Sequence, residues 1–178
     1  MENVMVDLET LGQGPGCVVL SIGAVMFDET GLGEEFYMVV NQESCEDEGL
    51  KADQSTLDWW SKQSPEARVV LDEAKTGGVP LIHALQEFGA YLEQYNMRAV
   101  KIWGNGASFD NTILVACYKA VGIETPWKFW NDRCYRTFKA LFPSVKLERQ
   151  GTYHNALDDA KTQALHAVML LEALNGRG

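Results

Sequence analysis

Apolar and polar residues alternate from Asn3 to Leu8 around Val4 and Val6, the period of two that predicts a strand. Leu11 to Gly16 holds three glycines and a proline and predicts a loop. Cys17 to Phe27 is almost continuously apolar, so a second strand buried on both faces is expected. Asp28 to Gly33 predicts a turn and Glu35 to Val40 a third strand; the short links imply an antiparallel meander. The period then changes. Ser55-Thr56-Leu57-Asp58 has the form of a helix start, with Ser55 as N-cap and an acid three residues on. A short helix through Trp59 and Trp60 and another from Pro65 to about Ala74 follow. Leu81, Leu85, Phe88 and Leu92 recur at helical spacing. Ala99 to Trp103 predicts a fourth strand, and Asn111 to Val121 a helix closed by Gly122. A short strand near Cys134 and Tyr135 and a helix through Phe138 to Leu141, stopped by Pro143, come next. The last helix spans about Ala156 to Leu174, with Ala160, Ala164, Ala167, Val168, Leu171 and Leu174 at spacings of three and four. The resulting order, β-β-β-α-β-α-β-α, predicts an α/β fold with a mixed sheet and helices packed against it.

Composition narrows the function classes. At 178 residues a single domain over 1–178 is expected, and 46% hydrophobic residues with 10% aromatic exclude a disordered chain. No apolar run approaches the ~18 residues that span a bilayer, and no secretion signal is visible at the N-terminus. Cys17, Cys45, Cys117 and Cys134 form no CxxC pair and lack zinc-like spacing to a histidine. Free thiols in a cytoplasmic protein are expected, with no membrane partner. The net charge of −10 argues against tight binding along extended duplex, though acids crowd one predicted loop at Glu43, Glu46, Asp47, Glu48 and Asp53.

Candidate chemistry lies in three clusters: Asp7-Leu8-Glu9-Thr10, Phe109-Asp110, and His154 through Ala160. Asp7 and Glu9, two apart on a strand, project from one face at a strand end, and two anions so placed repel unless a cation lies between them. Their hard oxygens suit magnesium or manganese; a solvated carboxylate pair is the plainer reading. Asp110 opens a helix and fits either a metal ligand or a simple N-cap. His154 precedes the last helix and Asp159 lies on its first turns. The gap lets a loop imidazole and a helical acid reach one site, while Asp158 points roughly 100° away. A neutral imidazole takes a proton from water near neutral pH; a structural histidine is the alternative.

Asp7-x-Glu9, Phe109-Asp110 and His154-x4-Asp159 together resemble the motifs of the DEDDh branch of the DnaQ-like 3′–5′ exonucleases, which have an RNase H-like fold. The stretches Thr56-Leu57-Asp58-Trp59-Trp60, Trp103 to Asp110 and Arg133 to Thr137 resemble the short phage and bacterial exonucleases labelled exonuclease VIII-like or exoribonuclease-like. The resemblance covers residues 3 to about 172. It implies a five-stranded mixed sheet, two Mg²⁺ or Mn²⁺ ions on Asp7, Glu9, Asp110 and Asp159, and His154 as general base. The activity implied is hydrolysis of single-stranded RNA or DNA from its 3′ end to nucleoside 5′-monophosphates. Thr10 would help hold the terminal nucleotide, and Leu11 would wedge between the last two bases or anchor a loop. At most one of Trp59 and Trp60, which point in different directions on a helix, would stack on a base, with core packing as the plainer reading. Phe109 beside the site, a core residue on the plainer reading, and Arg136, reaching a phosphate or, like Arg133, pairing at the surface, complete the expected substrate contacts. Many relatives carry asparagine four residues before the middle aspartate. Here that position is Gly106 and the asparagine is Asn105, so contacts of that asparagine are not carried over. Alternatives are action on duplex ends or short oligonucleotides, or a non-catalytic module binding nucleic acid or a partner protein. A homodimer is compatible with the resemblance.

Overall fold

A computed structural model of the chain describes residues 1–96, 99–148, 151 and 153–176. Strands β1 (Asn3–Thr10), β2 (Val19–Asp28) and β3 (Gly31–Val39) form the expected antiparallel meander. β4 (Lys101–Gly104) and β5 (Asp132–Cys134) add to the other side of β1 in parallel, giving the order β3-β2-β1-β4-β5. Helices α1 (Gln42–Asp47), α2 (Gln54–Trp60), α3 (Pro65–Thr76), α4 (Leu81–Glu93), α5 (Asp110–Ala120), α6 (Tyr135–Ala140) and α7 (Ala156–Asn175) surround the sheet.

Alternation along β1 divides the core in two. Val4, Val6 and Leu8 enter a cluster with Leu85 and Phe88 of α4 and Ile113 and Leu114 of α5. Met5, on the other face, packs in a cluster with Tyr135 of α6 and Ala160, Ala164 and Ala167 of α7. β2 contributes to both clusters, which accounts for its unbroken apolar run. Leu81, Leu85, Phe88 and Leu92 are each no more than 1% exposed. At about 1.5–3 kcal/mol for each buried side chain, packing and not intrinsic propensity holds α4.

Several boundaries depart from the sequence expectation for local reasons. The acidic stretch expected to be a loop contains α1, whose N-cap Asn41 accepts from the Ser44 amide at 2.8 Å. Ser55 is not the N-cap of α2; Asp53 takes that place. The Asp53 amide donates to the Leu11 carbonyl at 2.7 Å, so the turn starts where the chain is pinned to the end of β1. β4 begins two residues late because the amides of Ala99 and Val100 both return to the Asn96 carbonyl. Gly122 stands one residue beyond the C-cap of α5 and adopts φ +72°, a conformation that costs a side-chain-bearing residue energy. All four cysteines are free thiols. Among the described residues no helix is long and apolar enough to cross a membrane.

Candidate active site

The site gathers at the C-terminal end of β1, between two helices that approach from opposite faces of the sheet. Gly23 on β2 pairs with Asp7 on β1. A Cβ on Gly23 would stand only 2.2 Å from the Ala156 carbonyl carbon and 2.3 Å from the Leu157 nitrogen. The missing side chain therefore admits the first turn of α7 directly against the sheet. Asn155 caps that turn, its side-chain oxygen accepting from the amides of Leu157 and Asp158 at 3.1 Å each. Asp159 is thereby delivered over the strand end. It is 7% exposed, Glu9 is 6% exposed, and ligand atoms of Glu9, Asp159 and His154 all lie within 4.8 Å of one another.

Asp7 and Glu9 share a face of β1 with Met5, as alternation requires. Between Glu9 and Thr10 the pairing with β2 slips, skipping Leu20, a bulge of the kind that re-aims side chains beside active sites. Asp7 Oδ1 accepts from Gln163 Nε2 at 2.7 Å. Gln163 lies one turn beyond Asp159 on α7, and sequence reasoning missed it; its spacing of four from Asp159 was the available signal. Asp110 comes from the other side as the first residue of α5, and its Oδ1 accepts from the Leu8 amide at 3.3 Å. A Cβ on Gly104 would lie 2.9 Å from Asp110 Oδ2, so the glycine ending β4 leaves room for this carboxylate. The four acids thus surround residues 7 to 9 of one strand, with Glu9, Asp159 and His154 tightest. Asp158 lies apart, with its carboxyl against Gly151.

Burial pushes the Asp110 carboxyl up to about 7, with opposing help to the charged form from the Leu8 amide, its own amide, Asn105 and the Arg136 guanidinium. Buried acids at the N-termini of α5 and α7 gain from the helix dipoles, but like charges this close call for a cation. The donor set, carboxylate oxygens with one imidazole, fits a hard divalent ion. His154 holds φ +60°, the left-handed region, unusual for a side-chain-bearing residue and the sort of strain found at functional positions. Its ring meets Trp59 edge-to-face at 4.9 Å between centroids.

The expected substrate contacts separate sharply. Trp59 is 42% exposed. It lines a cleft of about 200 Å³ with Glu9, Thr10, Thr56 and Phe109 beside the acids. Trp60 is 1% exposed and cannot stack on a base; its Nε1 donates to the Thr10 carbonyl at 2.9 Å. Of the two expectations for Leu11, its full burial in the core fits the loop anchor and not the wedge. The Thr10 hydroxyl donates to the Gly12 carbonyl at 2.7 Å. Arg136 is exposed, and its Nη2 donates to the Asn105 carbonyl at 2.7 Å. Gly106 adopts φ +113°, with Arg136 packed over the turn. A side chain there would be strained.

The sequence profile of the Rv2179c-like domain, a 3′–5′ exoribonuclease domain, matches residues 2–171. The chain belongs to this family. The exonuclease is also 29% identical over 160 residues to an exodeoxyribonuclease of Enterobacteria phage T4, covering 77% of this chain and 70% of the phage protein. Among solved structures it resembles the nuclease domain of 3′hExo, a DEDDh family member bound to rAMP. The TM-score is 0.67 at 13% identity, over 96% of this chain and 92% of the other. Exonuclease X in complex with 5′-overhanging duplex DNA gives 0.62 at 13% identity, over 97% and 93%. The fold is the RNase H-like α/β fold of these nucleases, a mixed five-stranded sheet flanked by helices, and by its family the chain is a 3′–5′ exonuclease.

Proposed function

We propose that this exonuclease, acting as one domain over 1–178 in the cytoplasm, removes nucleotides one at a time from the 3′ end of single-stranded nucleic acid. The observation that carries the reading is the convergence of Glu9, Asp159 and His154 within 4.8 Å, with Asp7 and Asp110 flanking the same strand end. Asp7, Glu9, Asp110 and Asp159 would hold two Mg²⁺ or Mn²⁺ ions, which supply Lewis acidity and lower the pKa of bound water. Trp59 and Phe109 line the cleft where the terminal base is held by stacking. His154 takes the proton from the attacking water at a ring nitrogen. The water oxygen bonds to phosphorus as the bond to the 3′ oxygen breaks, and a nucleoside 5′-monophosphate leaves.

The family description names RNA, the phage relative acts on DNA by its name, and both substrates fall within the proposal. The test is a time course on RNA and DNA strands labelled at the 5′ or the 3′ end, with magnesium or manganese and after chelation by EDTA. The 5′-labelled strands are expected to shorten stepwise and the 3′ label to appear at once as mononucleotide, only with metal. Folded Asp7→Ala or Asp159→Ala protein that degrades substrate at the parent rate would sink the assignment.

A further inference from the structure

The chain is strongly acidic, yet one segment inverts that balance. Residues 128–148 hold five Lys or Arg against two Asp or Glu, in a chain with 15 against 25 overall. Part of this segment lines a groove of about 510 Å³ between α6 and α7, with Arg136, Lys139 and Lys146 at its rim and Phe142 and Val145 among its apolar lining. His166 of α7 fixes the wall. One ring nitrogen bonds the Tyr135 hydroxyl at 2.7 Å and the other the Val145 carbonyl at 3.0 Å, tying the 143–147 stretch to the helix that carries Asp159. The carbonyl can only accept, so Nε2 donates to it. Among the described residues no carboxylate pairs with Lys139 or Lys146; the Lys139 ammonium lies 5.0 Å from the centre of the Tyr135 ring.

We infer that this groove binds the backbone of the same strand upstream of the nucleotide being removed. The inference rests on the exonuclease reading above. Arg136 joins groove and site: it lines the groove, and its guanidinium lies on the Asn105–Gly106 turn that leads to Asp110. His166 stands seven residues beyond Asp159 on α7, so the groove wall runs about 10 Å along the helix from the acids. A positively charged groove that tracks the sugar-phosphate backbone is what proteins use to hold single strands without reading their sequence. The same segment answers the charge paradox. A net negative protein repels a polyanion except where cations cluster, so the cluster sets the path of the strand as it leaves the site.

The experiment compares kcat/KM on a 5′-labelled dodecamer with that on a dinucleotide, for the parent protein and the double variant Lys139→Glu/Lys146→Glu. The readout is the ratio of the two, with thermal melts confirming the fold. The parent ratio is expected to be large. The double variant should lower it about tenfold or more, and the slope of log KM against log salt should fall by about 1.4, near 0.7 per lost phosphate contact. A variant ratio within twofold of the parent overturns the groove while leaving the exonuclease reading intact. So does an unchanged ratio accompanied by an altered sedimentation coefficient, which would make this face a protein interface. A parent protein that releases no mononucleotide from either substrate fails the exonuclease reading, and the groove with it.

Discussion

Gln163 Nε2 donates to Asp7 Oδ1 across 2.7 Å, linking the helix that carries Asp159 to the strand that carries Glu9. A carboxylate bonded this way at one oxygen has its rotation fixed, so a metal meets a prepared ligand and not a mobile one. Gln163→Leu keeps the volume and loses the donor. Activity at limiting magnesium should drop about 10–100-fold, with partial recovery at high metal. Titrating the metal in the nuclease assay checks this, and an unchanged half-saturating magnesium concentration would show that the bond is idle.

Gly23→Ala tests how α7 is seated. The added methyl meets the Ala156 backbone, and backbone cannot swing aside as a side chain can. Overpacking of this kind costs about 1–3 kcal/mol, and at about 2–4 °C per kcal/mol the melting temperature should fall by several degrees. Activity should fall beyond what the melt explains, because α7 carries Asp159 away from Glu9. A variant melting and cleaving like the parent would show that the helix seats elsewhere.

Asp110 makes the metal-free protein sensitive to pH. Its folded pKa is raised to about 7 from 3.8, chiefly by burial, so the fold holds this proton more tightly than the unfolded chain does. The associated stability is fully present below about pH 3.8 and is lost as pH rises through about 7. Asp110→Asn is neutral throughout and escapes the loss. In EDTA at pH 8 the variant should melt several degrees above the parent, and the gap should close toward pH 4. A pH-independent difference would point to altered packing in place of the buried charge.

Trp59 and Trp60, adjacent in sequence, should fail in different ways. Trp60→Phe removes the donor to the Thr10 carbonyl and leaves a buried acceptor, a cost of about 1–3 kcal/mol in stability. Trp59→Ala should leave the melting temperature nearly unchanged, since the ring is half exposed. It should raise KM for oligonucleotides by the equivalent of about 1–3 kcal/mol for a lost stacking partner. Its kcat should fall as well, because the ring also packs on His154. The reverse pattern, a destabilised Trp59 variant with normal KM, would move base stacking elsewhere in the cleft.

Much of this was written in the linear chain. The two-residue period of β1, the unbroken apolar run of β2 and the helical spacing of α4 each encode burial on a definite face, because side-chain direction follows from local backbone geometry alone. The same rule placed Asp7 and Glu9 together, and the spacing of His154 and Asp159 let a loop and a helix turn reach one point. Local rules do not say which faces meet. Tertiary packing decided that Trp60 and Leu11 sink into the core while Trp59 faces the cleft, since all three are equally apolar in the sequence. Packing also decided that Gln163 reaches Asp7, 156 residues away in the chain. Only the folded chain shows that Gly23 is where α7 lands. A missing side chain carries no signal of its own until another backbone arrives to occupy its space.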